Sequence, residues 1–211
     1  MAVKADDDSP GMDRIKSFSD AVFAIAITLL SLNLVLPAKT TQSNLPHQLN
    51  TLWPQYGAFA LTFLLIGLRW LTHLIQFRYI RRYDYTLLGL NLVLLFTVAF
   101  LPFPSRVLAD YPDSRAASVL YAGSMAFAGI VSTVLWWHAC WIGHLVTFFD
   151  LDKSMRWNLL LRWAVLPLFF GVAIILVFAV QDLWPARIVA FAAPLAQIAL
   201  AVYSRLAGYP V

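Results

Sequence analysis

Residues 14–38 read RIKSFSDAVFAIAITLLSLNLVLPA, and the last 18 of them, 21–38, carry no charge. A helix needs about 20 mainly apolar residues to cross the hydrocarbon core of a bilayer. The same pattern recurs along the chain. A second run covers about 52–77, interrupted by Arg69, and a third covers about 85–103, closed by Pro102 and Pro104. Residues 116–149 are uncharged for 34 positions, more than one crossing requires. That run is read as one span continuing past the membrane at its Trp- and His-rich end. Two further spans fall at about 163–181 and 185–204. Six spans predict an all-α, polytopic membrane protein.

Composition points the same way. The 211 residues are 61% hydrophobic and 12% charged, against roughly half and a quarter in soluble domains. There are eight Trp, fifteen Phe and no Glu. A soluble fold of this length could not hide so much apolar surface.

The short connections set an orientation, because Lys and Arg collect on the cytoplasmic side. With the N-terminus inside, that side holds Lys4, Arg14, Lys16, Arg78, Arg81, Arg82, Lys153, Arg156 and Arg205. The other side holds Lys39, Arg106, Arg115 and Arg187, while Arg69 and Arg162 fall within spans. Both termini are therefore expected in the cytoplasm. The Arg78, Arg81 and Arg82 cluster is expected to meet anionic lipid and not nucleic acid, since nothing beside it could read bases.

Residues 1–13 are read as a disordered cytoplasmic N-terminus and 14–206 as one six-helix transmembrane domain. The first apolar run is long for a signal peptide and has no A-x-A site, so it is expected to remain. A single cysteine, Cys140, excludes an intrachain disulfide. No internal repeat suggests inverted transporter halves.

Nothing points to an enzyme. No two Gly are adjacent, and no Walker, Rossmann or G-x-S-x-G pattern occurs. The segment WWHACWIGH carries His138, Cys140 and His144. On a regular helix the two His lie about 120° apart and Cys140 points away from His138, so one metal could not take all three. A haem bridging His73 and His138 would make a membrane b-type cytochrome. Aromatic and His side chains at the membrane interface account for the same residues more simply.

The first helix carries the most information. Ser19 or Asp20 could cap it, which would explain that polar pair without a function. Ile25, Leu29 and Leu32 lie within about 60° of one another, and Ala21, Ala24, Thr28 and Ser31 form a small-residue stripe beside them. Small residues let membrane helices approach closely. One small and one bulky edge suit a ring of identical helices around an axis, or ordinary packing within one subunit.

The motif Arg14-x-x-x-Phe18-Ser19-Asp20, with Trp70 and His73 in the second span, Asn91 in the third and the 102–104 Pro-Phe-Pro, resembles the transmembrane protein 175 family of lysosomal and endosomal potassium channels. The likeness is clear over the first three helices and rests on hydropathy over the last three. Six helices in this length look like the short prokaryotic members. The resemblance implies a homotetramer in a prokaryotic cell membrane, passing potassium passively along a fourfold axis lined by the first helix. It places the hydrophobic constriction at Ile25, continued by Leu29 and Leu32, and ion selectivity at Thr28. Arg14, Phe18, Ser19, Asp20, Trp70, His73 and Asn91 would form a structural polar network. No cofactor is implied beyond the permeating ion, and the partners are lipid, monovalent cations and other copies of the chain. No TVGYG-like filter loop exists in the chain. A small secondary transporter remains the alternative, weakened because Arg69 has no obvious acidic partner.

Overall fold

The computed structural model describes residues 10–38, 40–146 and 152–206. Among these described residues eight α-helices run in chain order: α1 Pro10–Leu29, α2 Leu45–Thr51, α3 Trp53–Tyr79, α4 Tyr85–Phe100, α5 Pro102–Asp110, α6 Arg115–Trp137, α7 Lys153–Ala179 and α8 Trp184–Leu206. Six stretches are long and apolar enough to cross a bilayer: Gly11–Asn33, Trp53–Tyr79, Tyr85–Asp110, Arg115–Ile142, Lys153–Ala179 and Trp184–Leu206. Among the described residues there is no strand beyond one isolated bridge, Ile80 to Val146. At 27 residues, α3 is about 40 Å long, enough to cross the ~30 Å hydrocarbon core with a turn to spare at each end.

Several boundaries differ from the sequence reading, each for a local reason. The first helix begins at Pro10, upstream of the expected span at 21–38 and of the domain start read at residue 14. Proline suits a first turn, and Met12 is buried beside Phe77 and Leu145. The expected disordered segment is thus helical from residue 10, and 1–9 lie outside the described residues. Ser19 and Asp20 consequently sit mid-helix and cap nothing. The helix also stops earlier than residue 38. It tightens into a 3-10 turn at Leu30–Asn33, where the Asn33 amide donates to the Pro102 carbonyl at 2.9 Å.

Pro102 does not end the third span. Leu101 keeps helical angles (φ −54°, ψ −32°) and Pro102 enters the first turn of α5, so the crossing continues to Asp110. The fourth span loosens into a π-helical turn at His138–Ile142, and residues 147–149 lie outside the described residues. The fifth begins at Lys153, ten residues before the expected 163, with Asp152 accepting from the Lys153 amide at 2.7 Å.

Packing centres on α6, which meets α4, α5 and α7. Helix α1 lies against α3 and α4, α5 against α3 and α6, and α6, α7 and α8 pack in succession. One core cluster joins Phe23, Ile66, Leu94, Val98 and Phe170, and a second, nearer the N-terminal end of α1, joins Phe77, Leu87, Trp136 and Trp163. The outer surface is hydrocarbon: Phe96, Phe127, Leu168, Ile175, Phe178 and Leu195 are all exposed. Apolar surface on that scale is stable only in lipid, and the chain is an integral membrane protein.

Candidate functional site

Helix α1 is held by one face and free on the other. Phe23, Ala26 and Leu30 are fully buried against the core. The opposite face exposes Phe18, Ala21, Ala24, Ile25, Thr28, Leu29, Ser31 and Leu32. Ile25 is 58% exposed, Leu29 41% and Leu32 67%, so this stripe has no partner within one chain. The small-residue and bulky stripes therefore share one uncovered face. Thr28 donates its hydroxyl to the Ile25 carbonyl at 2.8 Å, and Ser31 donates to the Thr28 carbonyl at 2.8 Å. With the protons committed to the backbone, both hydroxyl oxygens present lone pairs outward.

Buried polar contacts fix the other face. The Asn91 amide on α4 donates to Ser19 Oγ at 3.0 Å, and Ser19 donates in turn to the Ile15 carbonyl at 2.8 Å. Asn91 Oδ1 lies 3.0 Å from His73 Nε2 on α3. Asn91 Nδ2 donates to Ser19, so Oδ1 accepts, and His73 must carry its proton on Nε2. A separate bond ties Trp70 Nε1 to Asp20 Oδ1 at 2.9 Å. Two adjacent residues of α1 thus engage α3 and α4 at one level. Asp20 is ten residues into the helix, about 15 Å from its start.

Of the network that the family resemblance implied, the structure brings together Ser19, Asp20, Trp70, His73 and Asn91. Arg14 and Phe18 lie outside it. Both are exposed on the uncovered side of α1, because the 100° step puts them within about 20° of Ile25 and about 100–140° from Ser19.

The sequence reading missed how fully α3 acts as a polar hub. Thr62 Oγ1 lies 3.0 Å from both Ser105 Oγ on α5 and Tyr121 Oη on α6. The Gln76 amide donates to the Ser132 carbonyl on α6 at 3.0 Å, and Thr72 accepts from the Gln197 amide on α8 at 3.2 Å. Thr62, Arg69, Thr72, His73 and Gln76 are all buried. At 100° per residue they fall within an arc of about 100°, one face of the helix and a signal open to inspection in the sequence.

The His-rich segment is not a regular helix, so the angular argument made for it does not apply. His138 Nε2 lies 2.9 Å from Asp84 Oδ2. His73 is stacked on Phe77 at 4.2 Å between ring centres, with Phe23 at 5.5 Å, and its Nε2 is already engaged by Asn91, so that nitrogen offers no lone pair to a haem iron. Among the described residues no group of three metal-ligating side chains gathers. Trp137, Trp141 and Trp157 cluster with ring centres 4.8 to 5.8 Å apart, as aromatic side chains do at a membrane interface.

Comparison with known proteins places this architecture. The model of the family described as "Endosomal/lysosomal potassium channel TMEM175" matches residues 14–102. A potassium channel of Streptomyces collinus is 40% identical over 136 residues, which cover 63% of this chain and 66% of that protein. The human endosomal/lysosomal proton channel TMEM175 is 27% identical over 139 residues, 64% of this chain and 27% of that one. These alignments span less than two thirds of each relative's length. A crystal structure of a lysosomal potassium-selective channel TMEM175 homolog from Chamaesiphon minutus superposes with a TM-score of 0.78 at 33% identity, covering 92% of this chain and 98% of that one. With the fold shared over 98% of that structure at 33% identity, the chain belongs to the TMEM175 family of channels.

Proposed function

We propose that the chain forms a potassium-permeable channel, a homotetramer whose four α1 helices surround the conduction axis. The observation that carries this reading is the uncovered face of α1. Exposed positions elsewhere are those of a lipid-facing wall: on α7 they are Leu161, Leu168, Ile175 and Phe178. On α1 they alternate bulky Ile25, Leu29 and Leu32 with Ala21, Ala24, Thr28 and Ser31. Small residues suit close approach of helices, and hydroxyl oxygens suit a wetted path more than lipid.

In this arrangement Ile25 forms the narrowest ring and Thr28 supplies oxygen lone pairs one turn on. Apolar side chains cannot replace a hydration shell, so the ring acts by sieving and dewetting, and selectivity is modest. Ser19, Asp20, Trp70, His73 and Asn91 hold α1 in place and do not touch the ion. The N-terminal end of α1 faces the cytoplasm, where the short loops collect Lys and Arg, and the membrane is that of a prokaryotic cell. Transport is passive and needs no cofactor. A transporter would want a paired ionisable group at the midplane, and Asp20 is instead occupied by Trp70.

Recording purified protein in a planar bilayer under asymmetric potassium and sodium tests this. Stepwise currents reversing nearer the potassium potential are expected. Absence of unitary steps, with flux that saturates and requires exchange, would identify a transporter.

A further inference from the structure

Away from α1, a cavity of about 380 Å³ opens between α3, α7 and α8. Its walls include three arginines, Arg78, Arg162 and Arg205, and no carboxylate. Arg162 is 8% exposed, yet its Nε and Nη1 have no hydrogen-bond partner among the described residues. Buried donors on a fixed positive charge are costly unless an acceptor meets them. Nε and Nη1 lie on different edges of the guanidinium, so each calls for its own acceptor oxygen, and an anion with several oxygens in the cavity can supply one.

The neighbouring Gln197 adds a second unfilled position. Thr72 gives its proton to the Leu68 carbonyl at 2.9 Å, so it accepts from Gln197 Nε2 at 3.2 Å. That leaves the Gln197 amide oxygen over, buried and without a partner among the described residues. It can accept a hydrogen bond from a hydroxyl beside the anion. The rim is hydrocarbon, with Leu71, Leu74, Ile198 and Val202 exposed towards the bilayer. Arg78 and Arg205 stand in the last turns of α3 and α8, which puts the opening at one membrane surface.

We propose that this cavity binds an anionic phospholipid whose headgroup alcohol keeps free hydroxyls beside the phosphate, such as phosphatidylglycerol. The phosphate meets Arg162 and Arg205, a headgroup hydroxyl meets Gln197, and the acyl chains follow the apolar rim. Basic pockets between helices near the membrane surface are suited to such headgroups.

Native mass spectrometry and thermal unfolding of the purified, delipidated protein test this without any current measurement, so it stands or falls apart from the channel reading. Phosphatidylglycerol should stay bound and raise the melting temperature, whereas phosphatidylcholine with the same acyl chains should not. Arg162→Gln and, at an exposed position where folding is less at risk, Arg205→Gln should each weaken phosphatidylglycerol retention roughly tenfold, one lost charge-assisted contact. Equal retention of the two lipids, or unchanged retention in folded Arg205→Gln, would overturn the site. Inorganic phosphate giving the same thermal shift at equal concentration would overturn the lipid assignment.

Discussion

Trp70 on α3 donates its indole N–H to the Asp20 carboxylate on α1 at 2.9 Å. The bond ties the uncovered helix to α3, one residue after Ser19 joins α1 to Asn91. If Asp20 is an anchor, its loss should cost stability more than ion preference. Asp20→Ala and Trp70→Phe should each destabilise by ~1–3 kcal/mol, since each strands a polar partner. The double variant should lose clearly less than the sum, because the two share one contact. Thermal unfolding of the four proteins measures it. Additive losses, or a folded Asp20→Ala channel without cation preference, would contradict the anchoring role.

A second anchor responds to acid. Asp84 accepts from the Leu87 amide at 2.7 Å, capping α4, and from His138 at 2.9 Å. Burial works against ionisation of Asp84, but the bonds from Leu87 and His138 outweigh it and hold the carboxyl below its ordinary value. A carboxylate depressed in the folded state contributes fully above its unfolded pKa of ~3.9, and that contribution fades as pH falls through the folded value. Asp84→Ala should therefore melt below the native protein at pH 7 by an amount matching a lost cap, ~1 kcal/mol. The gap should close towards pH 3. A gap of constant size across that range would show that the carboxylate charge plays no part.

The six crossings were legible because uncharged runs of bilayer length have one physical reading. Their ends were not. Pro102 looked like a stop, and only the helical angles of Leu101 show that the chain continues into α5. The polar lead-in through Ser19 and Asp20 looked like a cap, because sequence does not reveal that Met12 is buried and draws the helix back to Pro10. The motif residues Ser19, Asp20, Trp70, His73 and Asn91 were identified as a group by resemblance. Their pairings depend on how α1, α3 and α4 are rotated, which periodicity leaves open. Arg14 and Phe18 were grouped with them by motif alone and face the other way. The buried face of α3 was readable from the spacing of Thr62, Arg69, Thr72, His73 and Gln76, but partners such as Ser105 and Tyr121 lie 43 and 59 residues away.

Gly129 on α6 fits against Pro167 on α7. A Cβ built on Gly129 would lie 2.6 Å from Pro167 Cδ, inside any real contact, and a ring within a helix cannot swing away. Gly to Ala usually gains up to ~1 kcal/mol within a helix, but overpacking here should cost ~1–3 kcal/mol. Gly129→Ala should lower the melting temperature, while Gly171→Ala, where nothing lies within 4 Å, should leave it unchanged or raise it. Equal behaviour of the two variants would mean that α6 and α7 do not approach so closely.

Along the uncovered face, the two proposed pore positions should separate by chemistry. Thr28→Val keeps volume and removes the oxygen, so it should change the potassium-to-sodium permeability ratio by roughly two- to tenfold, equivalent to about 0.4–1.4 kcal/mol. Ile25→Asn should wet the constriction and raise unitary conductance, since dewetting at an apolar ring is a barrier to ions. Reversal potentials and single-channel recordings read the two effects. An unaltered ratio in Thr28→Val removes its assigned role, and unaltered conductance in Ile25→Asn moves the narrowest ring to Leu29 or Leu32.

Thiol block at Ile25 tests the axial position of α1 most directly. The chain has one cysteine, Cys140, which is buried, so an introduced thiol is the accessible one. Ile25→Cys channels in a bilayer, exposed to a charged methanethiosulfonate reagent, should lose their potassium current. Leu195→Cys, at a position 65% exposed on α8, should conduct as before. Full modification of the Ile25→Cys thiol, established by mass, with the current unchanged would place α1 away from the conduction path and contradict the account.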